Sequence, residues 1–325
     1  MVTTGDPPSG SNNGYVASLN NMSKKNIHAW IYGVLLGVGS VFLFMGGPDS
    51  YASRSFKYSW DIGHIVYFAL FAGLLTRWRF VAQKALTGQW AIILVITLLV
   101  GGSIEFMQHG TTRTPDTGDL LRDLTGSLLV LVLGPLRSAL KPASWRLSLQ
   151  VAVLVLLLVQ LWPLTRSLID EAIARSQFPV LSDLETPFEI DRWAGNNAER
   201  SVESMPSISQ GKLLKLSFTT DRYSGIALRY FDGNWASLRT LEISLYNPDV
   251  NPLQITCGIY SFKHGFNRNF LLMHGWNHIE INLDEVEESP ADRSMDMSRI
   301  LRLGLFVESQ PEPRVLFLGS VQLAP

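Results

Sequence analysis

Two patterns of apolar and polar positions divide the chain. From about residue 28 to residue 165, apolar residues form long runs with few interruptions. From residue 181 to residue 325 they alternate with polar residues in short runs broken by turn residues. A helix needs about 20 residues to cross the hydrocarbon of a bilayer, within a range of about 17 to 25. Five such spans are predicted: His28 to Met45, Trp60 to Trp78, Trp90 to Met107, Leu120 to Leu136 and Leu147 to Thr165. The third and fourth reach that length only with Glu105 and Asp123 counted inside. In the second half the alternation predicts strands at Lys212–Phe218, Gly225–Tyr230, Leu238–Tyr246, Leu253–Tyr260, Asn277–Leu283, Ile300–Val307 and Val315–Leu323. Turns fall at Asp232-Gly233-Asn234, Asn247-Pro248-Asp249 and His274-Gly275.

The fold class that follows is multi-domain, an α-helical membrane bundle of about five transmembrane helices followed by an all-β jelly-roll sandwich. The expected boundaries are a disordered cytoplasmic tail at 1–27, rich in Gly, Ser and Asn, a transmembrane domain at 28–165, a linker at 166–180 whose first half continues as helix, and a sandwich at 181–325. Basic residues set the orientation. Lys24, Lys25, Arg77, Arg79, Lys84, Arg137, Lys141 and Arg146 fall on one side; Arg54, Lys57, Arg113 and Arg122 fall on the other. The positive-inside rule then puts the N-terminus in the cytoplasm and the C-terminal domain outside. The first partner expected is therefore the lipid bilayer.

Charge and cysteine content remove other classes. A net charge of −1 supplies no basic stripe to neutralise phosphates, which excludes a nucleic-acid partner. The single cysteine, Cys257, permits neither an intrachain disulfide nor a CxxC or zinc spacing, and reads as a buried strand thiol. No cofactor and no metal site is expected.

The candidate chemistry lies at helix ends. Ionisable groups at membrane depth are costly, so each marks a functional site. Asp61 and His64 share a helix face, as do Glu105 and Gln108, each pair being three residues apart. Asp119, Asp123 and Gly126 follow at four and then three, one stripe of the next helix. In the predicted topology all three ends lie on the outer side, under the loop 108–118, which contributes Arg113 and Asp116. Arg113 is the expected partner of the carboxylates, and a guanidinium also binds phosphate. The candidate ligand-binding cluster is therefore Asp61, His64, Glu105, Gln108, Arg113, Asp116, Asp119 and Asp123, with His64 and Glu105 as candidate acid and base. The competing reading makes Asp61 and Asp119 helix N-caps.

These segments resemble a known family. Trp60-Asp61-Ile62-Gly63-His64-Ile65-Val66-Tyr67-Phe68, then Glu105-Phe106-Met107-Gln108, then Arg113 to Asp119 with Gly126, are similar to the VanZ-like membrane proteins over about residues 30–140. In that family the position of Asp123 is Asn, so the cluster here is more acidic. The resemblance implies a cell-envelope protein connected with glycopeptide resistance. The second half is similar to carbohydrate-binding-module and galactose-binding-like sandwiches, on Leu184-Glu185, Trp193, Gly211 to Leu214, Asn234-Trp235, Leu245 to Pro248, His274 to Ile279 and Leu316 to Gly319. Trp235 and Trp276 are expected in or at the edge of the core. Loop residues Arg222, Tyr223, Tyr260, His264, Asn267 and Arg268 are the candidate glycan contacts.

Three functional readings stay open. The first is binding or modification of a lipid-linked saccharide, cell-wall precursor or glycopeptide at the polar cluster. The others are an intramembrane hydrolase or transferase, and a scaffold in polysaccharide assembly or export.

Overall fold

The computed structural model describes residues 31, 33–41, 47–49, 51–108, 117–134, 142–205, 208, 211–290 and 294–325. The tail at 1–27, most of the expected loop 108–118 with Arg113 and Asp116, and the side chain of Gln108 lie outside the described residues. The chain forms two compact units. The first holds Phe56–Leu164 and the described residues before Ser53; the second holds Ser53–Ser55 and Thr165–Pro325.

In the first unit, helix α1 covers 33–41. It is followed by α2 (Arg54–Leu75), the short α3 (Arg79–Ala82), α4 (Leu86–Gln108), α5 (Thr117–Leu133) and α6 (Ala143–Gln177). Among the described residues, three helical stretches are long and apolar enough to cross a membrane: Arg54–Leu75, Leu86–Met107 and Ala143–Gln177. At 17 residues α5 is shorter than these three, about 26 Å at 1.5 Å per residue. Exposed Leu147, Val151, Leu154, Leu158 and Trp162 give α6 an apolar surface. Polar side chains cross between helices: Thr97 Oγ1 and Ser127 Oγ are 2.8 Å apart, and Gln160 Nε2 donates to Thr125 Oγ1 at 2.7 Å. Such bonds recur where helices pack without water.

The span expected to end at Thr165 runs on as helix to Gln177. Past Pro163 the apolar run gives way to Arg166, Asp170, Glu171 and Arg175. Ser167, Asp170 and Ala174, at three and then four, form a buried stripe. This stripe belongs to the second unit. Arg54 pairs with Asp170, while Arg192 Nη2 and Nε donate to Asp170 Oδ1 at 2.7 and 2.9 Å.

The second unit is a sandwich of two antiparallel sheets. Its strands are β1 (Val180–Ser182), β2 (Trp193–Asn196), β3 (Ala198–Ser204), β4 (Lys212–Phe218), β5 (Tyr223–Leu228), β6 (Thr240–Asn247), β7 (Leu253–Tyr260), β8 (Gly265–Leu272), β9 (Gly275–Asn282), β10 (Arg302–Glu308) and β11 (Arg314–Ala324), with helix α7 (Leu283–Glu288) after β9. One sheet runs β3-β4-β11-β6-β9, with β1 also on β11; the other runs β2-β5-β10-β7-β8. Period-2 alternation sends Ile243, Leu245, Ile279, Ile281 and Leu316 inward from the first sheet. They meet Leu228, Ile255, Cys257, Leu303 and Leu305 of the second in one core. Burial there pushes the Cys257 thiol up to about 12, so it stays protonated.

A buried carboxylate ties the sandwich entry. Glu189 accepts from the backbone N–H of Asp183, Leu184 and Thr186, at 3.0, 2.7 and 3.1 Å, and from the hydroxyls of Ser182 and Thr186. Burial opposes its charge. The three backbone donors and Arg192 outweigh burial and hold it below the usual carboxylate value of 4.5. A depressed pKa gives stability that is complete above the unfolded value and lost as pH falls through the folded one. Glu189→Gln is therefore expected to cost about 1–3 kcal/mol at neutral pH, by facing an NH2 group to donors. It should also flatten the acid limb of thermal stability below about pH 4.5. Parallel acid limbs in melting scans of the two proteins would refute this.

Candidate functional site

The helical unit brings four of the sequence candidates into one cluster. His64 sits at the middle of α2, and Asp119 and Asp123 lie in the first two turns of α5. His64 Nδ1 lies 2.9 Å from Asp123 Oδ1, and Nε2 lies 3.6 Å from Asp119 Oδ2. The imidazole is thus held by one carboxylate and faces a second across a gap too long for a hydrogen bond. All three side chains are 2% exposed or less.

Arg122 closes the cluster. Its guanidinium pairs with Asp119 and lies 3.9 Å from Asp61 Oδ2. Asp61 and Arg122 are the accessible members, with side chains 30% and 21% exposed. Glu105, near the end of α4, stands within electrostatic range of Asp123. Asp123 Oδ2 also approaches the α4 backbone at Gly101. Arg113, the guanidinium expected here, lies outside the described residues; Arg122, expected only to set orientation, supplies one. Its signal was present, since Arg122 is three residues after Asp119 and so shares its face.

Gly126 sets the depth of this cluster. A β-carbon there would strike the carbonyl oxygen of Ile65 and lie 2.9 Å from the amide nitrogen of Ala69. The absence of a side chain lets the α5 backbone rest on α2 directly after His64. That close approach carries the His64–Asp123 contact.

Carboxylates only accept hydrogen bonds, and the cluster holds more of them than cations. Such a surface suits a hydroxyl-rich or cationic group, with Arg122 available for an anionic one.

In the sandwich the candidate glycan residues separate. Tyr260 and Asn267 meet on the β7–β8 hairpin, where the Tyr260 hydroxyl donates to Asn267 Oδ1 at 2.7 Å. The Arg302 guanidinium lies 4.1 Å from the Tyr260 ring centre. Arg268 is engaged by Glu285 at 2.8 Å, and the His264 backbone N–H donates to Ser261 Oγ in the hairpin turn. Arg222 and Tyr223 lie at β5, Arg222 over the Tyr223 ring at 5.4 Å.

The two tryptophans expected in or beside the core differ. Trp235 is fully buried, whereas Trp276 is 40% exposed. The cause is parity. Ile279 and Ile281 take the inward positions of β9, so Trp276 and His278 stand on the outer face.

No family model matches the chain, and no curated protein matches it. Among solved structures, the sandwich is similar to part of an exo-β-agarase at 17% identity and a TM-score of 0.39, covering 45% of this chain and 25% of the agarase. It is also similar to the family 11 carbohydrate-binding module from Clostridium thermocellum, solved with a β-1,3-1,4-mixed-linked tetrasaccharide (15% identity, TM-score 0.35, 45% of this chain and 94% of that one). A carbohydrate-binding module specific for non-crystalline cellulose aligns at 10% identity and a TM-score of 0.32, over 42% of this chain and 88% of that one. The chain spans about a quarter of the agarase's length.

Proposed function

We propose that the chain is an integral membrane protein of the cell envelope whose α2–α5 cluster binds or modifies the headgroup of a lipid-linked saccharide, cell-wall precursor or glycopeptide. The observation that carries this reading is a histidine buried between two aspartates, with Asp61 and Arg122 accessible beside it. Buried charge of this density is costly and needs a use or a partner. The accessible carboxylate and guanidinium present acceptors and donors to a polyhydroxyl group. An apolar groove of about 430 Å³ lined by Leu35, Val38, Trp60, Val66, Tyr67 and Leu70 runs along the same helix that bears Asp61 and His64, and in this reading it takes the acyl chain. In this reading α1, α2, α4, α5 and α6 lie in the bilayer with the N-terminus inside, and the sandwich lies outside and holds glycan.

The test is binding of an undecaprenyl-linked disaccharide, and separately of a glycopeptide, to purified protein in nanodiscs. Asp61→Asn and Arg122→Gln should each weaken binding about ten- to hundred-fold, the loss of one charge-assisted contact of roughly 1.5–3 kcal/mol being the source. Wild-type affinity in both variants would end this reading.

One geometric feature favours a second reading, an intramembrane hydrolase or transferase. A carboxylate on Nδ1 orients an imidazole for proton transfer at Nε2, and Asp123 is placed that way. Turnover of the lipid-linked substrate by purified protein, lost in His64→Ala, would select it. A third reading, scaffolding in a polysaccharide assembly or export complex, predicts stable co-purification with fixed partners, unaffected by changes in the cluster.

A further inference from the structure

The outer face of the β3-β4-β11-β6-β9 sheet carries a cleft of about 450 Å³ that no residue of the proposed glycan set lines. Its floor is aromatic. Cross-strand register places Phe317, Tyr246 and Trp276 side by side on β11, β6 and β9. Tyr246 packs its ring against Trp276 at 5.5 Å and 66°, with Phe317 behind it at 6.4 Å. The Trp276 ring is thereby held in place while remaining 40% exposed. His278, two residues on, lies nearly parallel to it, 6.5 Å between centres and 9° between planes. Ser244 Oγ fixes that imidazole through Nδ1 at 3.1 Å. Gly319 completes the arrangement. A β-carbon there would come within 3.1 Å of the Trp276 ring edge, so the ring lies low over β11 only because the position has no side chain.

The rim is polar. Asp183, Lys212 and Ser320 line the cleft with Ser244. Burial first, and then the Glu189 and Glu185 carboxylates, hold the Asp183 carboxyl above its usual range. A flat, rigid pair of rings bordered by hydroxyls, an amine and a carboxyl has a definite complement. It accepts a ring with an apolar C–H face and hydroxyls around its edge. Sugars whose substituents are all equatorial present that face, and β-linkage keeps successive rings extended.

We propose that Trp276 and His278 form the platform of a saccharide subsite on this sheet, which takes a neutral β-linked oligosaccharide, with Ser244, Ser320, Lys212 and Asp183 reaching its hydroxyls. The proposal rests on the reading that the sandwich holds glycan, and it names the face and the sugar class. Aromatic side chains at binding sites contribute large, rigid contact area.

The experiment is titration of the full-length protein in nanodiscs with cellotetraose and chitotetraose, followed by calorimetry and tryptophan fluorescence. Wild-type protein should bind at least one of them. Trp276→Ala should weaken binding about ten-fold or more, as loss of an aromatic anchor does. Gly319→Leu, which keeps the tryptophan but lifts it off the strand, should weaken binding comparably. Tyr260→Ala, in the β7–β8 hairpin away from this cleft, tests the competing set of glycan contacts in the same titration. Thermal unfolding of each variant separates lost binding from lost fold, since Trp276 is part-exposed and its removal empties little core. Binding that survives both Trp276→Ala and Gly319→Leu but is lost in Tyr260→Ala overturns this subsite and leaves glycan binding by the sandwich standing. Absence of binding in the wild-type protein overturns both.

Discussion

Asp170→Ala is expected to destabilise the second unit by about 3–5 kcal/mol, the range for removing one partner of a buried ion pair. Asp170 and Arg192 are almost fully buried, and Arg54 is only 11% exposed. The carboxylate is the shared counter-charge of two guanidiniums. Without it Arg192 keeps, among the described residues, the carbonyl acceptors of Leu181 and residue 170 and the Coulombic attraction of Glu189. Water cannot reach a guanidinium at that depth, so much of the desolvation cost is left uncompensated. For a unit of this size each kcal/mol lowers the midpoint by about 2–4 °C, so the midpoint should fall by roughly 10 °C. The measurement is thermal unfolding followed by near-ultraviolet circular dichroism, which reports buried Trp193 and Trp235. A shift under about 2 °C would show the network to be as weak as an exposed pair. The double variant Asp170→Leu with Arg192→Met should recover part of the loss, since apolar replacements of buried ion pairs are often neutral or better.

Gly126→Leu is expected to disrupt the α2–α5 crossing and, with it, the candidate site. The crossing leaves no room for a β-carbon beside Ile65 and Ala69. Even alanine should cost about 1–3 kcal/mol by overpacking. Leucine forces the helices apart, and His64, one residue before Ile65, moves with α2 away from Asp123. Their 2.9 Å contact cannot survive a displacement of more than a few tenths of an ångström. Both the melting temperature in nanodiscs and the binding of the lipid-linked disaccharide should fall. Gly102→Ala is the control, because a β-carbon at Gly102 meets nothing within 4 Å. A Gly126→Leu protein that melts and binds as the wild type does would refute the close crossing.

Legibility followed hydrophobic contrast. Strands Lys212–Phe218 and Leu253–Tyr260 have the bounds their sequence predicts, because each buries an apolar face in the centre of the core. β3 and β8 escaped detection. Ala198–Ser204 and Gly265–Leu272 are edge strands with little buried surface to impose a period, the first polar at most positions and the second interrupted by Asn267-Arg268-Asn269. The helix expected through the first half of the linker runs on to Gln177, and the use of its charges was not legible: Asp170 finds its partners only in the second unit. Trp276 was misplaced because a large aromatic residue reads as core. The parity of Ile279 and Ile281 already assigned it to the other face.

The cluster shows the same division. Three-residue spacing put Asp61 with His64, and a four-residue step put Asp119 with Asp123, since helix periodicity is local. Pairing across helices is not local. Which carboxylate takes His64 Nδ1, and which arginine reaches Asp119, depends on the depth and rotation of α5 against α2, which Gly126 sets.

By itself the sequence determined the division into an apolar helical half and an alternating β half, most of the core strands and the helix faces that bear charge. All of these are written in the 3.6- and 2-residue periods of contiguous segments. Only the tertiary structure decided that Arg122 closes the acidic cluster, that Asp170 answers two arginines, and that Trp276 and His278 form an exposed aromatic floor. Each joins residues from separate elements, and no local period carries the distance between two segments that meet only when the chain is packed.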